Sequence, residues 1–227
     1  MYKRQPDYCA EDVSDHALAL MLACLRDVAR RDRLVRQGQW NLQRTSFRLS
    51  GKVLGVLGFG RIARALVKKC SGFGFTRILV YDPYISAEAC ASLGAIKTEL
   101  NTVLKEADFL SLHMPVTPET TGMLNKETLS LMKPTAIVVN TGRGPLIDDE
   151  AMLDALKTHK ILCAGLDTHN CEPLPANSPY FELDNVILTD HTAYSTVEAV
   201  EELKIKSAQN IINALTGVPP VYPVNEL

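Results

Sequence analysis

Short apolar runs alternate with helical patterns along the chain from residue 50 onward. The runs are rich in Val, Ile and Leu and lack a regular alternation with polar residues, so each is expected to be buried on both faces. Buried strands that are separated by helices require a parallel sheet with helices packed on both sides. Right-handed crossovers then favour a doubly wound α/β fold. The predicted strands are residues 53–59, 77–82, 108–113, 136–140, 161–167 and 185–191.

Helical patterns occupy the segments between these strands and both ends of the chain. Asn101 is predicted to cap the helix in NTVLKEA, because its side-chain oxygen could accept a hydrogen bond from a free backbone N–H at the start of that helix. The last helix is predicted from Thr196 to Leu215, with Gly217 and Pro219 ending it.

Composition and charge exclude several classes of protein. With 227 residues, 46% hydrophobic and 22% charged, the chain is typical of a globular protein of one large domain or two unequal ones. A net charge of −2 favours neither nucleic acid nor membrane as a partner, and the longest apolar run, Ala17–Leu25, is too short to cross a bilayer. The six cysteines show no C-x-x-C spacing and indicate reduced thiols in a cytoplasmic protein. No metal site has credible ligand spacing.

A glycine-rich turn follows the first predicted strand and opens a helix. It reads Gly58-Phe59-Gly60-Arg61-Ile62-Ala63, which is a G-x-G-x-x-A pattern in the strand–turn–helix context that gives the pattern its meaning. Gly58 permits the tight turn, Gly60 allows backbone N–H groups to approach a pyrophosphate, and Ala63 needs only to be small. The pattern predicts a Rossmann-type dinucleotide-binding domain.

An acidic residue at the end of the next strand selects the dinucleotide. Asp82 lies 19 residues beyond Ala63, where a carboxylate can accept hydrogen bonds from the adenine ribose hydroxyls. A 2′-phosphate at that place would meet a repulsion of about 4 kcal/mol per unit charge at 4 Å and an effective dielectric of 20. NAD is therefore predicted as the cofactor rather than NADP.

Charged side chains follow three further predicted strands. Arg143 lies between two glycines after the strand at 136–140, and its guanidinium could hold a carboxylate and a carbonyl in a bidentate fork. Asp167 ends the next strand, with Glu172 five residues later, and His191 follows the last strand. Ligands of open α/β sheets bind at the carboxyl ends of the strands, so these groups are expected to converge on one crevice.

Several ordered motifs make residues 6–227 resemble the D-isomer-specific 2-hydroxyacid dehydrogenase family, in its phosphoglycerate dehydrogenase-like branch. They extend over nearly the whole chain and are far more specific than a glycine pattern alone. The motifs are GKVLGVLGFGRIARAL, VYDPY, SLHMPVTPETTGMLN, MKPTAIVVNTGRGPLIDDEAMLDAL, GLDTHNCEPLP and DHTAYSTVEAVEEL.

The resemblance implies an NAD-dependent oxidoreductase that interconverts a (2R)-hydroxy acid and its 2-oxo acid. It implies that Arg143 binds the 2-oxo acid, that His191 is the general acid/base and that Glu172 pairs with His191. It also implies that Asp167 and the backbone at 114–115 and 141 contact the nicotinamide half of NAD. Together with the glycine turn, the predicted cofactor contacts are Gly58, Gly60, Arg61, Ile62, Asp82, Met114, Pro115, Thr141, Arg143, Asp167 and His191.

General chemistry agrees with these roles. Hydride that reaches a carbonyl carbon builds negative charge on the oxygen, which an imidazolium can neutralise by giving up a proton. A neighbouring carboxylate favours the protonated imidazole. Formate-oxidising relatives need no proton transfer and carry glutamine where this chain has Glu172, so the glutamate indicates an alcohol or carbonyl substrate.

Two residues depart from the family pattern. His169 replaces a residue that is usually apolar, and it is interpreted as a spare solvated histidine, with a place at the substrate entrance as the alternative. Asp190 replaces the usual proline before His191, which leaves the orientation of that histidine open. The other histidines, His16, His113 and His159, are interpreted as structural.

The first five residues have an unusual origin in this interpretation. The DNA string GTG TAT AAG AGA CAG, which ends a transposon sequencing adapter, encodes MYKRQ when GTG starts translation, so residues 1–5 are assigned to adapter sequence. Residues 6–190 are predicted to form the NAD-binding domain and residues 191–227 the C-terminal segment of an incomplete, flavodoxin-like substrate domain. The chain is then expected to bind NAD but to be nearly inactive as a fragment. A truly short paralogue is the alternative.

Function and assembly keep alternatives at this stage. One is an NAD(H)-sensing binding module similar to the C-terminal-binding-protein corepressors, and another is a degenerate fragment. Phosphoglycerate, hydroxypyruvate or glyoxylate, and D-lactate chemistry all remain open. A homodimer is expected for the full-length protein, with residues 10–35, which resemble one long helix, and the segment around Trp40 as the contact.

Overall fold

A seven-stranded parallel sheet organises the computed structural model, which describes residues 8–40 and 46–219. The strand order is β3-β2-β1-β4-β5-β6-β7, and this confirms the predicted doubly wound α/β fold. The strands are β1 (Val53–Leu57), β2 (Arg77–Tyr81), β3 (Ile96–Lys97), β4 (Phe109–Leu112), β5 (Ile137–Asn140), β6 (Cys163–Leu166) and β7 (Val186–Leu188).

Helices cover both faces of this sheet. No helix of the described residues is both long and apolar enough to span a membrane. The helices are α1 (Ala10–Arg26), α2 (Val28–Arg36), α3 (Arg61–Cys70), α4 (Ala87–Ala91), α5 (Leu100–Glu106), α6 (Lys126–Ser130), α7 (Asp149–Lys157) and α8 (Val197–Leu215).

The direction of winding reverses between β1 and β4. The chain builds β2 and β3 on one side of β1, then returns to place β4 on its other side and continues outward to β7. The carboxyl ends of β1 and β4 are therefore adjacent at the switch point, which is where open α/β sheets bind their ligands.

Alternating residues of β1 feed two separate hydrophobic cores. Val53 and Leu57 belong to the core on one face of the sheet, whereas Leu54 and Val56 belong to the core on the other. All are at most 7% exposed, which agrees with strands that are apolar on both sides.

The first helical region differs from the predicted single helix. It breaks at Asp27, whose φ of +56° ends α1 in a left-handed turn before α2 begins. The apolar face of α1 packs against α3 and the sheet of its own domain, with Ala17 and Met21 fully buried. This apolar face is consequently not free for the expected dimer contact, while Trp40 is 81% exposed.

One strand was missed, and one smaller expectation was wrong. The short strand β3 was not predicted, because Ile96–Lys97 is too brief to show a pattern. Asn101 lies inside α5 rather than at its cap, since Glu99 takes the extended N-cap conformation one residue before the helix begins.

The C-terminal helix α8 forms as predicted, and Thr196 caps it by accepting a hydrogen bond from the backbone N–H of Ala199. Large apolar side chains on it stay exposed, including Val197 and Leu215 at 81% each and Ile205 at 60%. Its assignment to a second domain remains a prediction, and residues 1–5 lie outside the described part of the chain.

Candidate active site

The glycine turn after β1 lies close to the backbone at the end of β4 and leaves space at the start of α3. Gly58 has a φ of +86°, and a Cβ there would lie 2.9 Å from the carbonyl carbon and oxygen of His113 at the end of β4. Gly60 is the N-cap of α3, no side chain caps that helix, and a Cβ at Gly60 would meet nothing within 4 Å. The start of α3 thus has no side-chain cap and has open space beside Gly60, which leaves room for an anion at this helix start.

Asp82 connects the end of β2 to this turn. One carboxylate oxygen accepts the Phe59 N–H at 2.7 Å, and the other accepts the Tyr84 N–H at 2.9 Å. The side chain thus stabilises the turn in addition to the ribose contact predicted from the sequence. Such a contact with the glycine loop depends on two strands being adjacent, which sequence spacing alone does not show.

Asn140 was missed by the sequence analysis, yet it holds the Arg143 loop. It ends β5, is fully buried, donates from Nδ2 to the Arg143 carbonyl at 2.9 Å and accepts the Gly142 N–H at 3.0 Å. Arg143 itself is exposed, and its Nη1 donates to the Gly142 carbonyl at 2.7 Å. The buried Asn140 side chain therefore fixes the loop, while the Arg143 guanidinium faces solvent.

Glu172 and His191 form a hydrogen-bonded pair, as the resemblance implies. His191 Nδ1 lies 2.7 Å from Glu172 Oε2, with both side chains a little more than one-third exposed. An ionised carboxylate can only accept, so Nδ1 carries the proton and Nε2 is the nitrogen left for a reacting group. Partial burial opposes ionisation of Glu172, but hydrogen bonds from the His169 N–H and the His191 ring outweigh it and lower the pKa of Glu172 below its usual value.

Asp167 fixes the loop that carries His191. Its fully buried carboxylate accepts the Thr192 N–H at 3.0 Å, the Ala193 N–H at 3.1 Å and the Thr189 hydroxyl at 2.6 Å. The Asp167 carbonyl accepts the His191 N–H at 2.8 Å. These contacts hold His191 at a φ of +57°, a conformation that histidine adopts rarely. The nicotinamide contact implied for Asp167 remains a prediction.

The loop that carries Arg143 packs against the loop that carries Glu172. A Cβ at Gly144 would lie 2.1 Å from the carbonyl carbon of His169, so only glycine fits there. Asn170 also donates from Nδ2 to the Ile147 carbonyl at 3.1 Å. The two loops are thus joined by steric contact and by a hydrogen bond.

His169 is not a spare solvated residue, which corrects the interpretation from the sequence. Its Nε2 lies 2.8 Å from the Thr189 carbonyl oxygen, and its backbone N–H donates to Glu172 Oε1 at 2.9 Å. The partners lie 20 residues apart and three residues apart along the chain, so only the folded arrangement of the loops reveals this role.

Two tyrosines near the charged groups were also missed. The Tyr8 ring packs edge-on against Tyr194, and the Tyr194 ring packs edge-on against His191 at a centroid distance of 6.4 Å. Burial raises the pKa of Tyr8 to about 12, while the charge of Arg143 acts in the opposite direction. Tyr8 and Tyr194 thus extend the group of side chains packed beside His191.

A cavity of about 530 Å³ adjoins the paired side chains. This volume lies within the range of small-molecule sites. In the part of the chain that the structure describes, no group of three His, Cys, Asp or Glu side chains could hold a metal ion. The cavity is lined by His169, Glu172, Pro173, Leu174, Leu188, Thr189, Asp190 and His191.

His113 is a structural histidine with an unsatisfied nitrogen. Its Nε2 lies 2.8 Å from the Ser111 hydroxyl, whereas its Nδ1 is buried without a hydrogen-bond partner among the described residues. Burial lowers the pKa of His113 to about 4. The ring is therefore neutral near pH 7.

We expect this histidine to make the fold sensitive to acid. The pKa of His113 is 6.5 in the unfolded chain and about 4 in the folded chain. At a pH between these two values, His113 is protonated in the unfolded chain and neutral in the folded chain. The free energy of unfolding should therefore be highest above pH 6.5 and should lose about 2 kcal/mol from this group by pH 5. Urea unfolding at pH 7.5 and pH 5 measures the fall.

His113→Gln should remove that part of the fall, whereas His159→Asn, at an exposed position, should retain it. An equal pH dependence in wild type and His113→Gln would contradict the assignment.

Residues 18–193 match the family model described as "D-isomer specific 2-hydroxyacid dehydrogenase, NAD binding domain". The chain belongs to this family. It is similar to a glyoxylate reductase of Pyrococcus furiosus, with 42% identity over 97% of this chain and 68% of the relative. It is also similar to a D-3-phosphoglycerate dehydrogenase of Methanocaldococcus jannaschii, with 40% identity over 93% of this chain and 40% of the relative.

Solved structures of the D-2-hydroxyacid dehydrogenase family share this fold. The D-lactate dehydrogenase of Lactobacillus jensenii, crystallised with NAD⁺, superposes with a TM-score of 0.87 at 28% identity, over 98% of this chain and 71% of the other. The family model and this complex support NAD as the cofactor.

The residues present fit that cofactor. The open start of α3 at Gly60 suits a pyrophosphate, and Asp82 offers a partly exposed carboxylate at the end of β2. The individual contacts predicted for Arg61, Ile62, Met114, Pro115 and Thr141 remain predictions.

Proposed function

We propose that this chain carries the cofactor site and the catalytic groups of an NAD-dependent dehydrogenase that interconverts a (2R)-hydroxy acid and a 2-oxo acid. The observation that supports it most directly is the 2.7 Å contact between Glu172 and His191 at the carboxyl edge of the sheet. An acid/base pair at that edge, beside a dinucleotide site, suits proton transfer to or from an alcohol oxygen.

Arg143 is proposed to bind the substrate. A guanidinium presents parallel N–H donors that match the carboxylate and carbonyl oxygens of a 2-oxo acid. Asn140 and the Gly142 carbonyl hold the loop and the guanidinium, so the donors are positioned before the substrate arrives. Such preorganisation lowers the entropic cost of orienting the substrate.

His191 is proposed to exchange the proton that the reaction requires. NADH, when bound, supplies the hydride for reduction of the carbonyl carbon. The protonated His191 ring then gives its Nε2 proton to the carbonyl oxygen, while Glu172 keeps its hydrogen bond to Nδ1 and stabilises the imidazolium before transfer. In the reverse direction His191 takes the proton from the hydroxyl group.

The 227-residue chain alone is proposed to bind NAD and to turn over little. It spans 68% of the length of the glyoxylate reductase that it matches, and the side chains of Glu172 and His191 are 36% and 38% exposed. Water has free access to such a site, and open sites lose much of the electrostatic advantage of closed ones. The cytoplasmic location and the homodimer remain predictions from the sequence.

Two measurements test the proposal. Fluorescence titration of the chain should show binding of NADH and much weaker binding of NADPH, because of the Asp82 carboxylate. The same chain, with its first five residues replaced by the N-terminal segment of the Pyrococcus furiosus glyoxylate reductase, should oxidise NADH in the presence of at least one of glyoxylate, hydroxypyruvate, pyruvate and 3-phosphohydroxypyruvate.

NADH binding without oxidation by any of these acids would contradict the dehydrogenase and favour a binding module. Turnover by the 227-residue chain at the rate of the fused protein would contradict the proposed inactivity.

A further inference from the structure

His169 contacts Glu172 through its backbone and the segment that carries His191 through its ring. Its backbone N–H donates to Glu172 Oε1 at 2.9 Å, which leaves Oε2 for His191. Its ring Nε2 lies 2.8 Å from the carbonyl oxygen of Thr189, two residues before His191. Because a carbonyl can only accept, this ring nitrogen carries the hydrogen and its tautomer is fixed.

We propose that His169 is a positioning residue that sets the geometry between Glu172 and His191. This inference rests on the proposed function and names a residue through which that site is held in place. The backbone of His169 orients the carboxylate, and its side chain ties the loop of Glu172 to the segment that carries His191.

The pair needs such a connection because the contact between Glu172 and His191 does not by itself fix the relative position of the two side chains. Glu172 and His191 come from two different loops, and both side chains are more than one-third exposed. Exposed ion pairs between mobile side chains contribute little net free energy, so their mutual attraction alone fixes the geometry poorly. Proton transfer, in contrast, depends steeply on the placement of the groups.

The other side of His169 is also closed. Its carbonyl group lies against Gly144, where a Cβ would come within 2.2 Å of the carbonyl oxygen. The backbone of His169 therefore has no room to move toward Gly144. The hydrogen bond of the ring to the Thr189 carbonyl adds a second restraint, on the segment that leads to His191.

The tautomer of His191 reports this role without any need for turnover. Which ring nitrogen of a neutral histidine carries the proton is set by its hydrogen bonds. In the 227-residue chain at pH 8, nitrogen NMR of the ring should show the proton of His191 on Nδ1, assigned by comparison with His191→Asn. The remaining four histidines serve as internal references.

His169→Leu should shift His191 toward a mixture of tautomers, because leucine fills the space but cannot donate to Thr189. His169→Gln should retain the Nδ1 proton, since its amide nitrogen can reach a similar place as a donor. His159→Asn, at an exposed position two residues after α7, is the control and should leave His191 unchanged. An unchanged His191 in His169→Leu, or equal changes in His169→Leu and His169→Gln, would overturn the proposal.

Kinetics give a second readout that does not depend on the yield of any variant. In the fused protein, His169→Leu should lower kcat about tenfold with little change in KM for the 2-oxo acid, and His169→Gln should restore it. A rise in KM with unchanged kcat would overturn the positioning role. If the fused wild type shows no turnover while the tautomer shifts as expected, the dehydrogenase proposal fails and the positioning role stands.

Discussion

His191→Asn should slow the reaction in the fused protein, with a loss of kcat of about 10³-fold while NADH binding persists. The reason is that positioned acid/base groups contribute about 10²- to 10⁴-fold to such reactions, and asparagine cannot deliver a proton. Asparagine is a fair replacement for the backbone, because it tolerates the left-handed conformation that His191 adopts at a φ of +57°. Stopped-flow or steady-state oxidation of NADH measures the loss.

The chain supplies a matched control for this change. His159 is also a left-handed histidine, with a φ of +55°, but it lies after α7 at the opposite end of the sheet. His159→Asn should therefore keep full activity. A His191→Asn protein that retains more than about one-tenth of wild-type kcat would remove His191 from the acid/base role.

Asp167→Ala should lower the free energy of unfolding by about 3–5 kcal/mol. Removing the fully buried carboxylate leaves the N–H groups of Thr192 and Ala193 without their acceptor and takes the 2.6 Å acceptor from the Thr189 hydroxyl. His16 Nε2, which lies 3.4 Å from the carboxylate, loses its neighbour as well. Urea unfolding at pH 7.5 measures the difference.

Asp190→Ala is the control for that experiment. Asp190 directly precedes His191 and is exposed. Its removal should therefore change the free energy of unfolding by less than about 0.5 kcal/mol. A cost below about 1 kcal/mol for Asp167→Ala would show that the loop holds its shape without the buried carboxylate.

The parallel sheet could be predicted from the sequence because its signal is local. Each of six strands is an apolar run flanked by helical patterns, and the glycine turn marks the switch point at which the cofactor binds. The pairing of Glu172 with His191 followed from the family resemblance. Neither inference needed the position of a side chain relative to a distant loop.

The features that were missed depend on such positions. The break at Asp27 carries no glycine or proline, so nothing in the sequence marks the left-handed turn. Tyr8 and His169 act through contacts with residues far away along the chain, and Asn140 acts on backbone groups that every residue possesses. Sequence patterns show whether a side chain faces the core or the solvent more clearly than they show which side chain it contacts.

The absence of a side chain at Gly144 has a consequence for how such a protein can diversify. Because the backbone at His169 is packed against Gly144, the loop proposed to bind the substrate and the loop proposed to position the acid/base pair are in direct contact. Insertions on either side would disturb both at once. Changes in substrate specificity should therefore arise at residues outside these two loops, where a substitution can reshape the substrate site without displacing the acid/base pair.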